Sequence, residues 1–265
     1  MNSSSYSPFR YPGGKYYARK FILPIIPDRV RYGEPFLGGG QIYFGKRPSE
    51  TSWLNDLDKD LVLAYQAIKE RPMDLVRALQ DETVSKDRHN FYKSWNPDEP
   101  FQRAVRWYYL NRTSYSGIMT DSCCYLGFKE GISIPPSQWG NLIVNASIHL
   151  SHGDVYLTSL DFEEAIAQYD LDTFAFIDPP YYKAARNLYK HEFDTRDHER
   201  LARVLYNSRQ KFRFLLTYDD CPEIRHLYKW ATISPQTWRY SIKYEGTEDD
   251  QAEAKEIFIE NYNLC

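Results

Sequence analysis

Asp178, Pro179, Pro180 and Tyr181 follow directly on the apolar run Phe174-Ala175-Phe176-Ile177. A strand-like run that ends in a carboxylate, two prolines and a phenol is equipped for more than a turn. The prolines fix two φ angles and remove two N–H donors, so the carbonyls beside them are held stiffly. Asp178 and the Pro179 carbonyl then offer two acceptors to one amine, and Tyr181 offers a ring to stack on. A flat ring bearing an exocyclic amine fits that set. Holding both N–H groups draws the nitrogen lone pair out of conjugation and toward an electrophile. The plainer alternative is a proline-stiffened turn with Asp178 capping a helix.

A second group sits earlier in the chain. In GEPFLGGGQIYF (33–44) a short strand ends at Phe36, and Gly38, Gly39 and Gly40 lead into an expected helix. Glycines at such a turn let backbone approach a ligand closely, and helix amides point at it. Asp56 and Asp58 stand 18 and 20 residues beyond Gly38, a distance that suits an acid holding a ribose diol. A nicotinamide-cofactor site would carry the same pattern. SPFRYPGGKYYARK (7–20) contains Gly13-Gly14-Lys15 but lacks the glycine spacing and the Ser/Thr of a nucleoside-triphosphate loop, which excludes that reading. Lys15 remains available to a carboxylate or a phosphate.

The elements that must carry these groups alternate. Apolar runs bounded by polar turns predict strands at about 32–36, 52–55, 154–158, 173–177, 212–217 and 256–262. Between them, 58–72 places Leu61, Ala64, Tyr65 and Ile68 on one helical face. SLDFEEAIAQY opens with an acceptable cap, and TRDHERLARVLYNS is expected to start at Thr195 as cap with Leu201, Val204 and Leu205 inward. Alternating strands and helices imply an α/β fold, Rossmann-like, with a mostly parallel sheet. Residues 59–150 break the rhythm: mainly helical, then a long irregular stretch of the kind that is usually functional. They read as an inserted recognition subdomain between the halves 1–58 and 151–265 of a catalytic domain.

Bulk properties narrow the class. Hydrophobic residues make up 42% and charged residues 26%, an ordinary soluble composition, and no apolar run approaches the roughly 18 residues of a membrane span. Met1-Asn2-Ser3-Ser4-Ser5 is a polar tail and not a signal peptide. Cys123, Cys124, Cys221 and Cys265 have no metal-ligand spacing and imply no disulfide framework, so a reducing cytoplasm is expected. Aromatic content is 16%, with 23 Tyr, which suits stacking as well as core packing. Net charge is −3, yet Arg10, Lys15, Arg19, Lys20, Arg29 and Arg31 face only Asp28 within residues 9–31, and acids crowd the C-terminal stretch. Basic faces on a slightly acidic protein are compatible with nucleic acid.

With these residues in hand, the chain resembles the Dam-type DNA adenine methyltransferases, a family that uses S-adenosylmethionine. FRYPGGK, then EPFLGGG with NDLD, then DPPYY occur in the family's order; YYLNRTSYSGI (108–118) resembles the opening of its recognition segment and KEIFIENY (255–262) its closing strand. The resemblance implies a methyltransferase fold and transfer of a methyl group to the exocyclic amine of an adenine flipped out of double-stranded DNA. It implies that Tyr11, Lys15, Phe36, Gly38, Gly40, Asp56, Ser159, Leu160, Phe162 and Asp178 form the cofactor site. Asp178, Pro179, Pro180 and Tyr181 would be catalytic, with Tyr181 stacking on the base. Tyr189 and Phe193 would close over it; ordinary packing is the alternative for both. The sulfonium carries its own leaving group, so no metal is required.

Within the insert, Arg103, Arg106, Asn111, Arg112, Ser114, Ser116 and Lys129 are the residues expected to contact DNA. Here the chain departs from many relatives that methylate GATC, which carry Asn-Gly-Leu followed by a base-reading Arg. Ser116-Gly117-Ile118-Met119-Thr120 puts Thr120 where that Arg is expected, which points away from GATC. Competing readings are an RNA or protein-amide methyltransferase, and a catalytically silent DNA-binding protein on the same scaffold. A prokaryotic or phage origin, a monomer, no membrane contact and room for a restriction endonuclease partner complete the expectation.

Overall fold

The computed structural model describes residues 7–120, 126, 134–183, 190–239 and 253–262, with only the backbone of 237–239 and 253–255. Seven strands among them form one sheet: β1 Arg31–Glu34, β2 Thr51–Asn55, β3 Asp154–Thr158, β4 Thr173–Ile177, β5 Arg213–Asp219, β6 Thr232–Arg239 and β7 Glu253–Glu260. The helices are α1 Arg19–Ile22, α2 Lys59–Glu70, α3 Pro72–Leu79, α4 Lys86–Ser94, α5 Pro100–Thr113, α6 Pro136–Leu150, α7 Phe162–Ile166, α8 Thr195–Ser208 and α9 Pro222–Leu227. The fold is α/β, as the alternation predicts.

The sheet order is β3-β2-β1-β4-β5-β7-β6. β1 to β5 are mutually parallel where they pair, and β7 enters antiparallel between β5 and β6. Strands covered on both faces read as continuous apolar runs. β4 shows why: Phe174 and Phe176 face a core shared with Leu61, Tyr65 and Trp107, while Ala175 and Ile177 face a second core with Leu201, Leu205 and Phe214. The first core is roofed by α2, α5 and α6, the second by α8 and α9.

Several boundaries depart from the sequence reading. β1 stops at Glu34 because Pro35 has no N–H for a ladder. β6 was not anticipated: Pro235 sits inside it, a residue tolerated at a sheet edge, and β6 is the outermost strand. The glycine turn leads not into an α-helix but into a single 3-10 turn, Tyr43–Gly45. Asp194, not Thr195, caps α8: its carboxylate accepts the amides of Arg196 and Asp197, and Asp197 closes a reciprocal capping box. Leu61, Ala64, Tyr65 and Ile68 are all buried on one face of α2, as their spacing requires.

Candidate active site

The order of strands reverses between β1 and β4, and in open α/β sheets ligands lie beyond the carboxyl ends of the strands at such a point. Gly38–Gly40 follow β1, Asp56 follows β2 and Asp178 follows β4. All of them line one cleft, together with Tyr11, Lys15 and Phe36.

The glycine turn is fixed from three sides. Gly38 and Gly40 have φ of 49° and 63°, in the left-handed region. A Cβ on Gly38 would come 2.9 Å from the Tyr11 ring, so glycine is demanded by both conformation and contact. The Gly38 amide donates to Asp56 Oδ2 at 2.8 Å, and the Tyr65 hydroxyl donates to the Gly38 carbonyl at 3.0 Å. The Ser7 hydroxyl donates to the Gly39 carbonyl. Asp56 Oδ1 accepts the Asp58 amide at 2.9 Å. Burial pushes the Asp56 carboxyl up to about 6, against the pull of those two amides.

On the β4 side, Asp178 Oδ1 receives two donors: Lys15 Nζ at 2.7 Å and the Thr217 hydroxyl at 2.7 Å. Asp178 Oδ2 has no hydrogen-bond partner among the described residues. Lys15, 4% exposed, also lies 4.7 Å from the centre of the Tyr181 ring. Pro180 lines the cleft, whereas Pro179 is buried beneath it and Tyr181 is half-buried at its side. The motif therefore presents a carboxylate oxygen that no described residue holds, and an aromatic face beside a cation.

The far wall is aromatic. Phe36, Phe162 and Phe193 pack on one another with centroid separations of 5.5 to 5.8 Å. Phe193 lines the cleft and also packs on His198 at 4.8 Å. Phe162 stands behind Phe36 and does not line the cleft. Nor do Ser159, whose hydroxyl donates to the Leu57 carbonyl at 3.2 Å, or Leu160, whose backbone is held by Asn55.

A family model for the D12 class N6 adenine-specific DNA methyltransferases matches residues 11–242. The chain belongs to that family. Type II methyltransferase M1.LlaDCHI of Lactococcus lactis subsp. cremoris is 25% identical over 290 aligned residues, 98% of this chain and 97% of its own. Type II methyltransferase M.CviBI of Paramecium bursaria Chlorella virus NC1A is 25% identical over 263, covering 96% and 98%. The DNA adenine methylase of Salmonella typhi is 23% identical over 253, covering 89% of each. The activity is therefore that of an adenine-specific DNA methyltransferase.

The expected DNA contacts of this methyltransferase fall in different places. Arg103 binds Asp60 with Nε at 2.8 Å, linking α5 to α2. Arg106 donates to the carbonyls of Tyr92 and Lys93 at 2.9 and 3.1 Å, closing the end of α4. Asn111 is buried and pairs with the Arg10 backbone through both its amide atoms, at 3.0 and 2.7 Å. Ser114 is buried and bridges to Leu126. Arg112 is 3% exposed, and its Nε and one terminal nitrogen find no partner among the described residues; burial lowers its pKa. Ser116 is exposed with φ of 51°. Lys129 and Tyr189 lie outside the described residues, as do Cys123 and Cys124; Cys221 is buried.

Three cleft residues escaped sequence reasoning. Glu34, fully buried at the end of β1, accepts the Tyr32 hydroxyl at 2.6 Å, and burial drives its carboxyl up to about 8. Gln41 lines the cleft with its Oε1 buried and unpartnered among the described residues. Lys190 reaches Asp58 at 2.9 Å and Asp60 at 3.3 Å, tying the segment before Phe193 to the start of α2. The first two sit inside or just after the glycine motif, where only the sheet edge reveals their direction. Lys190 had no local signal.

Among the described residues no helix is long and apolar enough to cross a membrane, and no cluster of three or more His, Cys, Asp or Glu side chains is arranged to hold a metal ion.

Proposed function

We propose that this methyltransferase binds S-adenosylmethionine against the glycine turn and methylates the exocyclic amine of an adenine swung out of duplex DNA into the Asp178–Tyr181 loop. The observation that carries the reading is Asp178 itself: Oδ1 is held by Lys15 and Thr217, and Oδ2 is left to the cleft it shares with Gly38 and Asp56.

Methyltransferases of this kind generally draw the methyl group from S-adenosylmethionine, and the cleft suits it. The Tyr11 ring packs so closely on Gly38 that no Cβ fits between them, and Gln41 brings to the same wall a buried oxygen that has no partner among the described residues. Tyr11, Lys15, Phe36, Gly38, Gly40 and Asp56 would hold the cofactor, with Phe162 supporting Phe36 from behind. When bound, S-adenosylmethionine supplies an electrophilic methyl on a sulfonium that carries its own leaving group.

The chain's part is positioning and charge. Asp178 Oδ2 and the Pro179 carbonyl accept the two N–H groups of the amine, and Tyr181 stacks on the ring. Extruding a base costs a few kcal/mol, which stacking worth about 1–3 kcal/mol and the two hydrogen bonds offset. As the amine becomes cationic, the Asp178 carboxylate, held in place by Lys15 and Thr217, stabilises it. DNA is read by the 111–120 stretch, with exposed Ser116 and with Arg112, whose Nε and one terminal nitrogen have no partner among the described residues, as the contacts we assign; Arg103 and Arg106 serve the helical scaffold.

The purified protein, a methyl-labelled cofactor and genomic DNA lacking methyladenine test the reading. Hydrolysis and chromatography are expected to place the label in N6-methyladenine. Label in RNA or protein, with none in duplex DNA, would overturn it.

A further inference from the structure

Three side chains outside the glycine turn and the Asp-Pro-Pro-Tyr motif hold residues 178–183. Thr217 on β5 donates to Asp178 Oδ1 at 2.7 Å. Asp219, two residues further along β5, accepts the amide of Tyr182 on Oδ1 at 3.0 Å and the amide of Lys183 on Oδ2 at 3.1 Å. Glu256 on β7 accepts the Tyr181 hydroxyl on Oε2 at 2.5 Å. Asp219 and Glu256 are direct partners in the β5–β7 pairing, and Glu256 is 4% exposed. Because β7 runs antiparallel, its early residues stand at the same sheet edge where the parallel strands end.

Like charges placed opposite each other across a ladder are unfavourable. Here both carboxylates are turned to donors of one loop. A phenol hydroxyl and two consecutive amides are satisfied by side chains on two adjacent strands, at a place where any turn could have used backbone carbonyls instead. Neither carboxylate lines the cleft.

We propose that Glu256 and Asp219 are positioning residues for the target adenine. Glu256 fixes the plane of the Tyr181 ring through its hydroxyl, and Asp219 pins the chain immediately after it. Together they set the stacking face for the base while leaving the cofactor side alone. This rests on the reading of 178–181 as the loop that takes the amine.

The test uses the full chain and four variants: Glu256→Ala, Glu256→Gln, Tyr181→Phe and the double variant Tyr181→Phe/Glu256→Ala. The substrate for kcat is a duplex of the site that genome mapping identifies; a second duplex with 2-aminopurine in place of the target adenine, which has no N6 amine to methylate, gives the flipping signal. Glu256→Ala and Tyr181→Phe are each expected to lower kcat about tenfold and to weaken the 2-aminopurine fluorescence rise, a misplacement effect. Cofactor Kd stays within about twofold, and the double variant is no worse than either single change because both remove one hydrogen bond. Glu256→Gln, which keeps an acceptor oxygen, recovers most of the loss. Additive losses, wild-type kcat in both single variants, or a cofactor affinity that falls in step with kcat would overturn the proposal. If Glu256→Ala does not fold, Tyr181→Phe and Glu256→Gln carry the comparison. A wild type that leaves adenine unmodified would instead refute the reading on which the proposal rests.

Discussion

Lys15 Nζ and Asp178 Oδ1 meet at 2.7 Å, joining the N-terminal glycine segment to the loop at the end of β4. Lys15 is 4% exposed and Asp178 19%, so the pair is shielded on one side and open to the cleft on the other. Removing the cation strips Asp178 of one of its two restraints and the Tyr181 ring of its cationic neighbour. Lys15→Met is expected to lower kcat/KM about 100-fold through lost positioning, and stability by about 1–3 kcal/mol. Lys15→Arg does not restore activity, because a planar fork cannot replace a compact ammonium in that space. Steady-state kinetics beside urea unfolding separates the two effects; wild-type kcat/KM in Lys15→Met would reduce the bridge to a structural contact.

Gly38→Ala tests the turn. The substitution puts an L side chain at φ of 49° with its Cβ 2.9 Å from the Tyr11 ring. A cost of about 1–2 kcal/mol is expected from the backbone alone. Displacement of Tyr11 also weakens cofactor binding, read by isothermal titration, while the intrinsic affinity for DNA changes little.

Glu34 makes stability fall as pH rises. Burial is the main cause that lifts its carboxyl from 4.5 to about 8, the Tyr32 hydrogen bond opposes it, and nearby Asp178 adds to it. Between those two values the folded state holds a proton that the unfolded chain has lost. Stability is therefore fully present below the unfolded value and declines by about 1.4 kcal/mol per pH unit until pH passes the folded value. Glu34→Gln keeps an acceptor for Tyr32 and cannot ionise. Its advantage over wild type in denaturant unfolding is expected to grow from pH 5 to pH 8; a constant offset would contradict this.

Arg106 and Arg112 are expected to separate in salt-dependent binding. Arg112 is 3% exposed and must come to the surface on DNA binding to meet a phosphate; with that contact made, Arg112→Ala lowers the slope of log affinity against log salt by about 0.9. Arg106→Ala leaves the slope unchanged and costs about 1–2 kcal/mol of stability, because the carbonyls of Tyr92 and Lys93 lose their donor. Fluorescence anisotropy with labelled duplex at several salt concentrations reads both.

The parts of the molecule that were legible in sequence are those whose signal is local. β3 and β4 appear at their expected residues because each is an uninterrupted apolar run with polar ends. The glycine turn and the Asp-Pro-Pro-Tyr loop are short motifs whose backbone demands are written in the residue types. The α8 cap was misplaced by one residue because Asp194 and Thr195 are both good capping residues, and only the capping box with Asp197 decides between them. Arg103 and Arg106 read as DNA contacts because a free cation and a paired one look alike until Asp60 and the end of α4 are brought beside them. Glu34, Asp219 and Glu256 depend on which strand lies next to which, and Lys190 on the start of α2 being brought beside it. β6 hid behind Pro235.

The most direct test of the account is to express wild type and Asp178→Ala in a bacterial host free of DNA methylation and to map modified bases by long-read sequencing. Methyladenine confined to one short motif, present with wild type and absent with Asp178→Ala, is the expected result. Unmodified adenine from a soluble, cofactor-binding wild type, or full modification by Asp178→Ala, would contradict it.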